Sequence, residues 1–125
     1  MKYALALVVA FALTSPAVAQ HAHGAQKGPN GGVMEDVAGV HAELVTSGTT
    51  ITINIFDEAV KPVATKGFTA SALVVRGSER EPITLTPTAE NALKGDAKKP
   101  IGAGAMITIL LKTAAGKSGQ AKYKL

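Results

Sequence analysis

Val40-His-Ala-Glu-Leu-Val-Thr46, then Ser47-Gly48, then Thr49-Thr-Ile-Thr-Ile-Asn-Ile-Phe56, is the stretch that decides the fold. Two runs of alternating apolar and polar residues flank a pair of small residues, the pattern of two antiparallel strands closed by a tight turn. With Ser47-Gly48 as the two-residue loop, Thr46 falls opposite Thr49, Leu44 opposite Ile51, Ala42 opposite Ile53 and Val40 opposite Ile55. Those pairs form a core face. The other face then carries His41 opposite Asn54 and Glu43 opposite Thr52, so His41 and Glu43 are expected to point the same way, off the core.

Outward toward the N-terminus, Gly28-Pro-Asn-Gly-Gly32 is a dense cluster of turn formers. Val33 to Asp36 reads as a short first strand, and Val37-Ala38-Gly39 as a turn or bulge. Gln20 to Lys27 is small and polar without apolar periodicity, which predicts a mobile tail. Outward toward the C-terminus, strands are expected at Gly67 to Arg76, Pro82 to Thr86, Asn91 to Lys94, Ala103 to Lys112 and Gln120 to Leu125, with Pro82 pointing to an edge or a first position. After the N-terminal block, no segment carries a 3.6-residue apolar period. Seven or eight short strands at this spacing predict a single all-β, antiparallel β-sandwich of immunoglobulin-like outline, with a partly open barrel as the alternative.

The chain begins with Lys2, an apolar block from Ala4 to Leu13, a Thr-Ser-Pro break and then Ala17-Val-Ala19. This is the pattern of a secretory signal peptide, with cleavage expected before Gln20. The expected organisation is a signal peptide over 1–19, a flexible His-containing tail and Gly-rich turn over 20–32, and the β-sandwich domain over 33–125. The block is short for a membrane span and no second apolar run follows. A soluble, exported protein with no membrane span after cleavage is therefore expected, acting as a monomer. There is no cysteine, so neither a disulfide nor a thiolate ligand is available.

Charge is unevenly spread. Residues 20–90 carry five basic against eight acidic residues, whereas residues 91–125 carry seven lysines against Asp96 alone. Without a basic helix or interleaved aromatic rings, the lysines read as solubility and sheet-edge protection, not as a nucleic-acid footprint. Gly116-Lys-Ser118 fails as a phosphate loop, because Leu111 stands five positions before Gly116 and no strand-to-helix context surrounds it. Asp57-Glu58 lacks the ligand spacing of a calcium loop. No nucleophile elbow, His-Glu-x-x-His or paired catalytic carboxylate frame occurs, so a non-enzymatic protein is expected.

All three histidines lie within residues 20–43. His21 and His23 flank an alanine next to the expected new N-terminus, where imidazole and amine nitrogens suit Cu(II) or Ni(II). His41 and Glu43 offer an imidazole and a carboxylate from one strand face, a donor pair suited to Zn(II) or Cu(II). The competing reading is a polar strand face that needs no ligand. If the Gly28–Gly32 turn folds the tail over this face, four nitrogen and oxygen donors converge. Met34 would add a thioether for Cu(I), although packing is the more common use of methionine.

At Gly28-Pro-Asn-Gly-Gly, His41-Ala-Glu-Leu-Val, Lys61-Pro-Val, Gly67-Phe-Thr-Ala, Leu85-Thr-Pro, Asn91-Ala-Leu and Gly116-Lys-Ser, the chain resembles two related groups. One is a set of small exported proteobacterial proteins. The other is the N-terminal accessory region of periplasmic adaptor subunits of heavy-metal efflux systems. The resemblance implies a periplasmic β-sandwich that handles copper or divalent ions in heavy-metal resistance, with His23 and His41 as the carried-over ligands; His21 and Glu43 come from the donor chemistry above. Where many such relatives place a further histidine in the Gly-Gly turn, this chain has Asn30, which lowers the ligand count. The coiled-coil and lipoyl-like segments of an adaptor do not occur in these residues, so an accessory protein is expected. It would bind copper, zinc or nickel and buffer the ion or pass it to an efflux component. The alternative is a non-catalytic structural or protein-interaction β-sandwich without metal.

Overall fold

The computed structural model describes residues 26–88 and 90–125. The expected signal peptide and its cleavage point, with His21 and His23, lie outside the described residues. Among the described residues nine strands occur: β1 (Gln26–Lys27), β2 (Val33–Val37), β3 (Val40–Ser47), β4 (Thr50–Phe56), β5 (Thr69–Arg76), β6 (Glu79–Pro87), β7 (Ala92–Asp96), β8 (Met106–Lys112) and β9 (Ser118–Lys124). The sheet thus includes Gln26 and Lys27, which pair with β2 ahead of Val33.

All neighbouring strands are antiparallel, in the order β1-β2-β3-β4-β7-β6-β5-β8-β9. The arrangement is one continuous sheet that curls on itself, and β6 is the strand that makes it continuous. Ala70 to Arg76 of β5 pair along β6 up to Leu85, and only then do Thr86 and Pro87 pair with Lys94 and Leu93 of β7. This single curled surface is closer to the partly open barrel than to two separate sheets. It also explains Pro82. The residue sits mid-strand opposite Leu73, in the part of β6 that has no β7 partner and so forms a local edge, as the proline suggests. A missing N–H leaves no ladder bond unmade on that side.

The first hairpin forms, with its register shifted by two residues. Ser47 pairs with Thr50, Leu44 with Ile53, Ala42 with Ile55, Glu43 with Asn54 and His41 with Phe56. The loop is Gly48-Thr49, and Gly48 has φ 59°. A two-residue turn with positive φ at its first central position wants glycine there, which moves Ser47 into the strand. Because the shift is an even number of residues, every side chain keeps its expected face.

The inner faces meet in one apolar core. Ile51, Ile53, Ile55, Leu93, Val74, Ile107 and Ile109 are fully buried, and Ala42, Leu44, Ala72, Leu85 and Leu111 fill between them. Each buried branched side chain contributes about 2 kcal/mol by removal from water. Truncating a central one such as Ile53 to alanine costs about 3 to 4 kcal/mol, because the packed neighbours cannot collapse into the gap. The curl is closed by Tyr123 of β9, which is 1 % exposed and donates a 2.7 Å hydrogen bond from its hydroxyl to the Ala42 carbonyl on β3. No helix among the described residues is long and apolar enough to cross a membrane.

Candidate metal centre

The β2–β3 hairpin turns on Ala38-Gly39, with φ 52° and 82°. Positive φ at both central residues gives the tight turn whose twist matches the strands. Val37 therefore pairs with Val40, and Asp36 falls directly opposite His41. Opposed residues share a face, and the two side chains meet: Nδ1 of His41 lies against Oδ1 of Asp36. The Asp36 side chain is 73 % exposed and the imidazole 22 %. In this geometry Nδ1–H donates to the carboxylate, which fixes the ring and leaves Nε2 as the donor atom open to a ligand.

Glu43 has a different fate from the one its strand position suggests. It does sit on the same face as His41, two residues along β3, yet it is fully buried. The segment Gly28–Gly32 lies over it. One carboxylate oxygen accepts from the backbone N–H of Asn30 at 2.8 Å and from that of Gly32 at 2.9 Å; the other accepts from Nδ2 of Asn30 at 2.8 Å. The turn closes on itself through Gly28 N–H to the Gly32 carbonyl at 2.8 Å and Gly31 N–H to the Gly28 carbonyl at 3.0 Å. Glycine is required at both ends of it, because a Cβ on Gly28 would run into the Glu43 carboxyl group and one on Gly32 into the Leu44 carbonyl. Both Glu43 oxygens are thus committed to holding the turn. A buried carboxyl group needs such donors, and strand alternation could not reveal them, since they come from a loop 11 to 13 residues upstream.

Two residues therefore carry roles that alternation did not expose. Asn30 replaces water over Glu43. Asp36 orients His41, and its place was readable from the Ala38-Gly39 turn, which sets the register of β2 against β3. Met34 shares the face with Asp36 and Glu43, pairs with Gln26 of β1, and is buried at 8 % exposure, in a packing role. Among the described residues no three His, Asp or Glu side chains converge as a metal-binding group. On the inner side of the same hairpin, burial pushes the Tyr123 phenol well above its ordinary range, and the Glu35 and Asp36 carboxylates add to the effect.

The chain matches no family model, no curated protein and no solved structure.

Proposed function

We propose that this is an exported, non-catalytic β-sheet protein of the periplasm that binds a copper, zinc or nickel ion through His41 together with His21 and His23, and buffers it or hands it to an efflux component. The observation that supports the reading is the Asp36–His41 pair, a carboxylate set against Nδ1 of a partly exposed imidazole, which leaves Nε2 as the nitrogen without that partner. Covalent reach supports the completion of the site. Gln26 is fixed beside Met34, and Asp36 lies two residues further along β2, a step of about 7 Å. His23 is three residues before Gln26, a tether of about 10 Å at full extension. The histidines of the leading segment are thus within reach of Nε2. Glu43 is assigned to structure in this reading and not to the ligand set.

Titration of the chain with Cu(II), Zn(II) and Ni(II) tests the proposal. Micromolar or tighter binding of one of them is expected, weakened at least about tenfold by His41→Ala and by the double change His21→Ala/His23→Ala, as loss of one ligand in a three-nitrogen site requires. Millimolar affinity, or affinity indifferent to these changes, would leave the sheet as a structural or protein-interaction module.

A further inference from the structure

The outer face of β6-β5-β8-β9, on the opposite half of the sheet from His41, has a charge pattern of its own. The ladders place Arg80, Val75, Met106 and Lys124 in one row, and Pro82, Leu73, Thr108 and Lys122 in the next. Ser71, Leu110 and Gln120 continue the third row, and Thr69, Lys112 and Ser118 the fourth. Four cations stand on this face, and none of the residues paired on it is a carboxylate. Glu79 and Glu81 do not break the pattern. They pair with Arg76 and Val74, the alternate positions whose side chains leave the sheet on its other side.

Between these cations stand two protruding apolar side chains. Leu110 is 52 % and Met106 41 % exposed, two of the three most exposed large apolar side chains among the described residues. Beside Leu110 runs a shallow groove of about 490 Å³ bordered by Thr69, Ser71, Lys112, Ser118 and Gln120. Its polar border consists of hydroxyls, an amide and an ammonium, groups that donate to phosphate oxygens.

We propose that this face docks the protein on an anionic phospholipid surface, with Leu110 and Met106 entering the headgroup boundary and the four cations at the level of the phosphates. Charge decides against a second copy of the chain, since two-fold pairing of this face would set lysines against lysines. Size decides against a folded acidic partner. Four strands each about 4.8 Å wide and four rows each about 7 Å deep give about 540 Å², short of the about 800 Å² per partner of a stable protein interface. Each cation near an anionic bilayer strengthens adsorption about fivefold, so apolar insertion and several cations together suffice without a tight fit. The inference stands independently of metal binding.

The test is co-sedimentation of the chain from Gln20 onward, which retains every strand and core residue described, with phosphatidylcholine vesicles containing roughly a third phosphatidylglycerol. At low salt, binding at least about tenfold stronger than to pure phosphatidylcholine is expected, falling as salt rises. Lys122→Glu/Lys124→Glu should lower it at least about tenfold, and Leu110→Ser about threefold. Lys98→Glu/Lys99→Glu makes the same charge change on the connection between β7 and β8 and should leave binding close to that of the parent. Equal loss in that control, or no effect of Leu110→Ser, would reduce the binding to general attraction of a basic protein and overturn the proposal. Stronger binding of a polyglutamate peptide than of the vesicles would assign the face to an acidic protein segment and overturn it equally. All substituted side chains are exposed, and an unchanged urea midpoint verifies that the variants fold.

Discussion

Tyr123, near the end of β9, donates its hydroxyl proton to the carbonyl of Ala42 at 2.7 Å, joining β9 to β3 from inside the core. Replacing it by phenylalanine keeps the ring and removes one buried hydrogen bond, leaving the carbonyl poorly satisfied. The expected loss is about 1 to 2 kcal/mol of unfolding free energy, read from the urea midpoint at neutral pH. Alkali supplies an independent check. The folded phenol is raised by burial first and by Glu35 and Asp36 second, so the neutral form is the one the fold favours. The stability this confers is intact below the ordinary value of 10.0 and is lost as pH rises beyond it. Tyr123→Phe should be less stable than the parent at neutral pH and should lose less on going to strong alkali.

Glu43 is expected to be a stability residue. Glu43→Ala removes the acceptor for three donors and opens the space under the turn, at a cost of about 2 to 4 kcal/mol. Asn30→Ala removes only the side-chain donor and should cost about 1 kcal/mol. Chemical denaturation ranks the two, and amide exchange at Gly32 should accelerate in both. The opposite ranking would contradict the placement of Glu43 beneath the turn.

Val60 is a site where the protein can be improved. It has φ 59°, a region that β-branched residues avoid, and it is 43 % exposed, so little packing is lost on replacing it. The backbone is held there because Asp57 accepts from the N–H groups of Ala59 and Lys61, both at 2.9 Å. Val60→Asn should raise stability by about 1 kcal/mol, visible as a higher melting temperature, since asparagine tolerates the left-handed region.

Asp36 separates an oriented imidazole from a merely exposed one. Asp36→Asn preserves size while removing the charge behind Nδ1. Metal affinity measured by titration should fall about 10- to 100-fold, whereas the urea midpoint should change little because the Asp36 side chain is 73 % exposed. A variant that binds as tightly as the parent would show that the pair has no part in metal binding.

The legible parts of this chain were those governed by period and turn chemistry. Alternation in 40–46 and 49–56 located both strands and assigned Ala42, Leu44, Ile53 and Ile55 to the core side, where they are buried. The two-residue slip arose from one local choice, whether Ser47 or Gly48 opens the loop, and the positive φ of Gly48 resolves it. Pro82 pointed to an edge, and it lies where β6, though interior in the strand order, lacks a β7 neighbour. Glu43 was opaque for a deeper reason. Period two tells which way a side chain points, and nothing about whether another segment comes to cover it. The Gly-rich run announced a turn, but its landing place depends on donors meeting a carboxylate across 11 to 13 residues of chain.

The bond between Tyr123 and Ala42 spans 81 residues of sequence. A chain that leaves a ribosome or a membrane pore N-terminus first can form its early hairpins from local contacts, but it cannot seal its interior until β9 has emerged. Closure of the sheet is therefore a late and slow event of high contact order, preceded by an interval in which the β2–β3 side of the core stands open. Removal of Tyr123 and the residues after it deletes this latch and should slow closure.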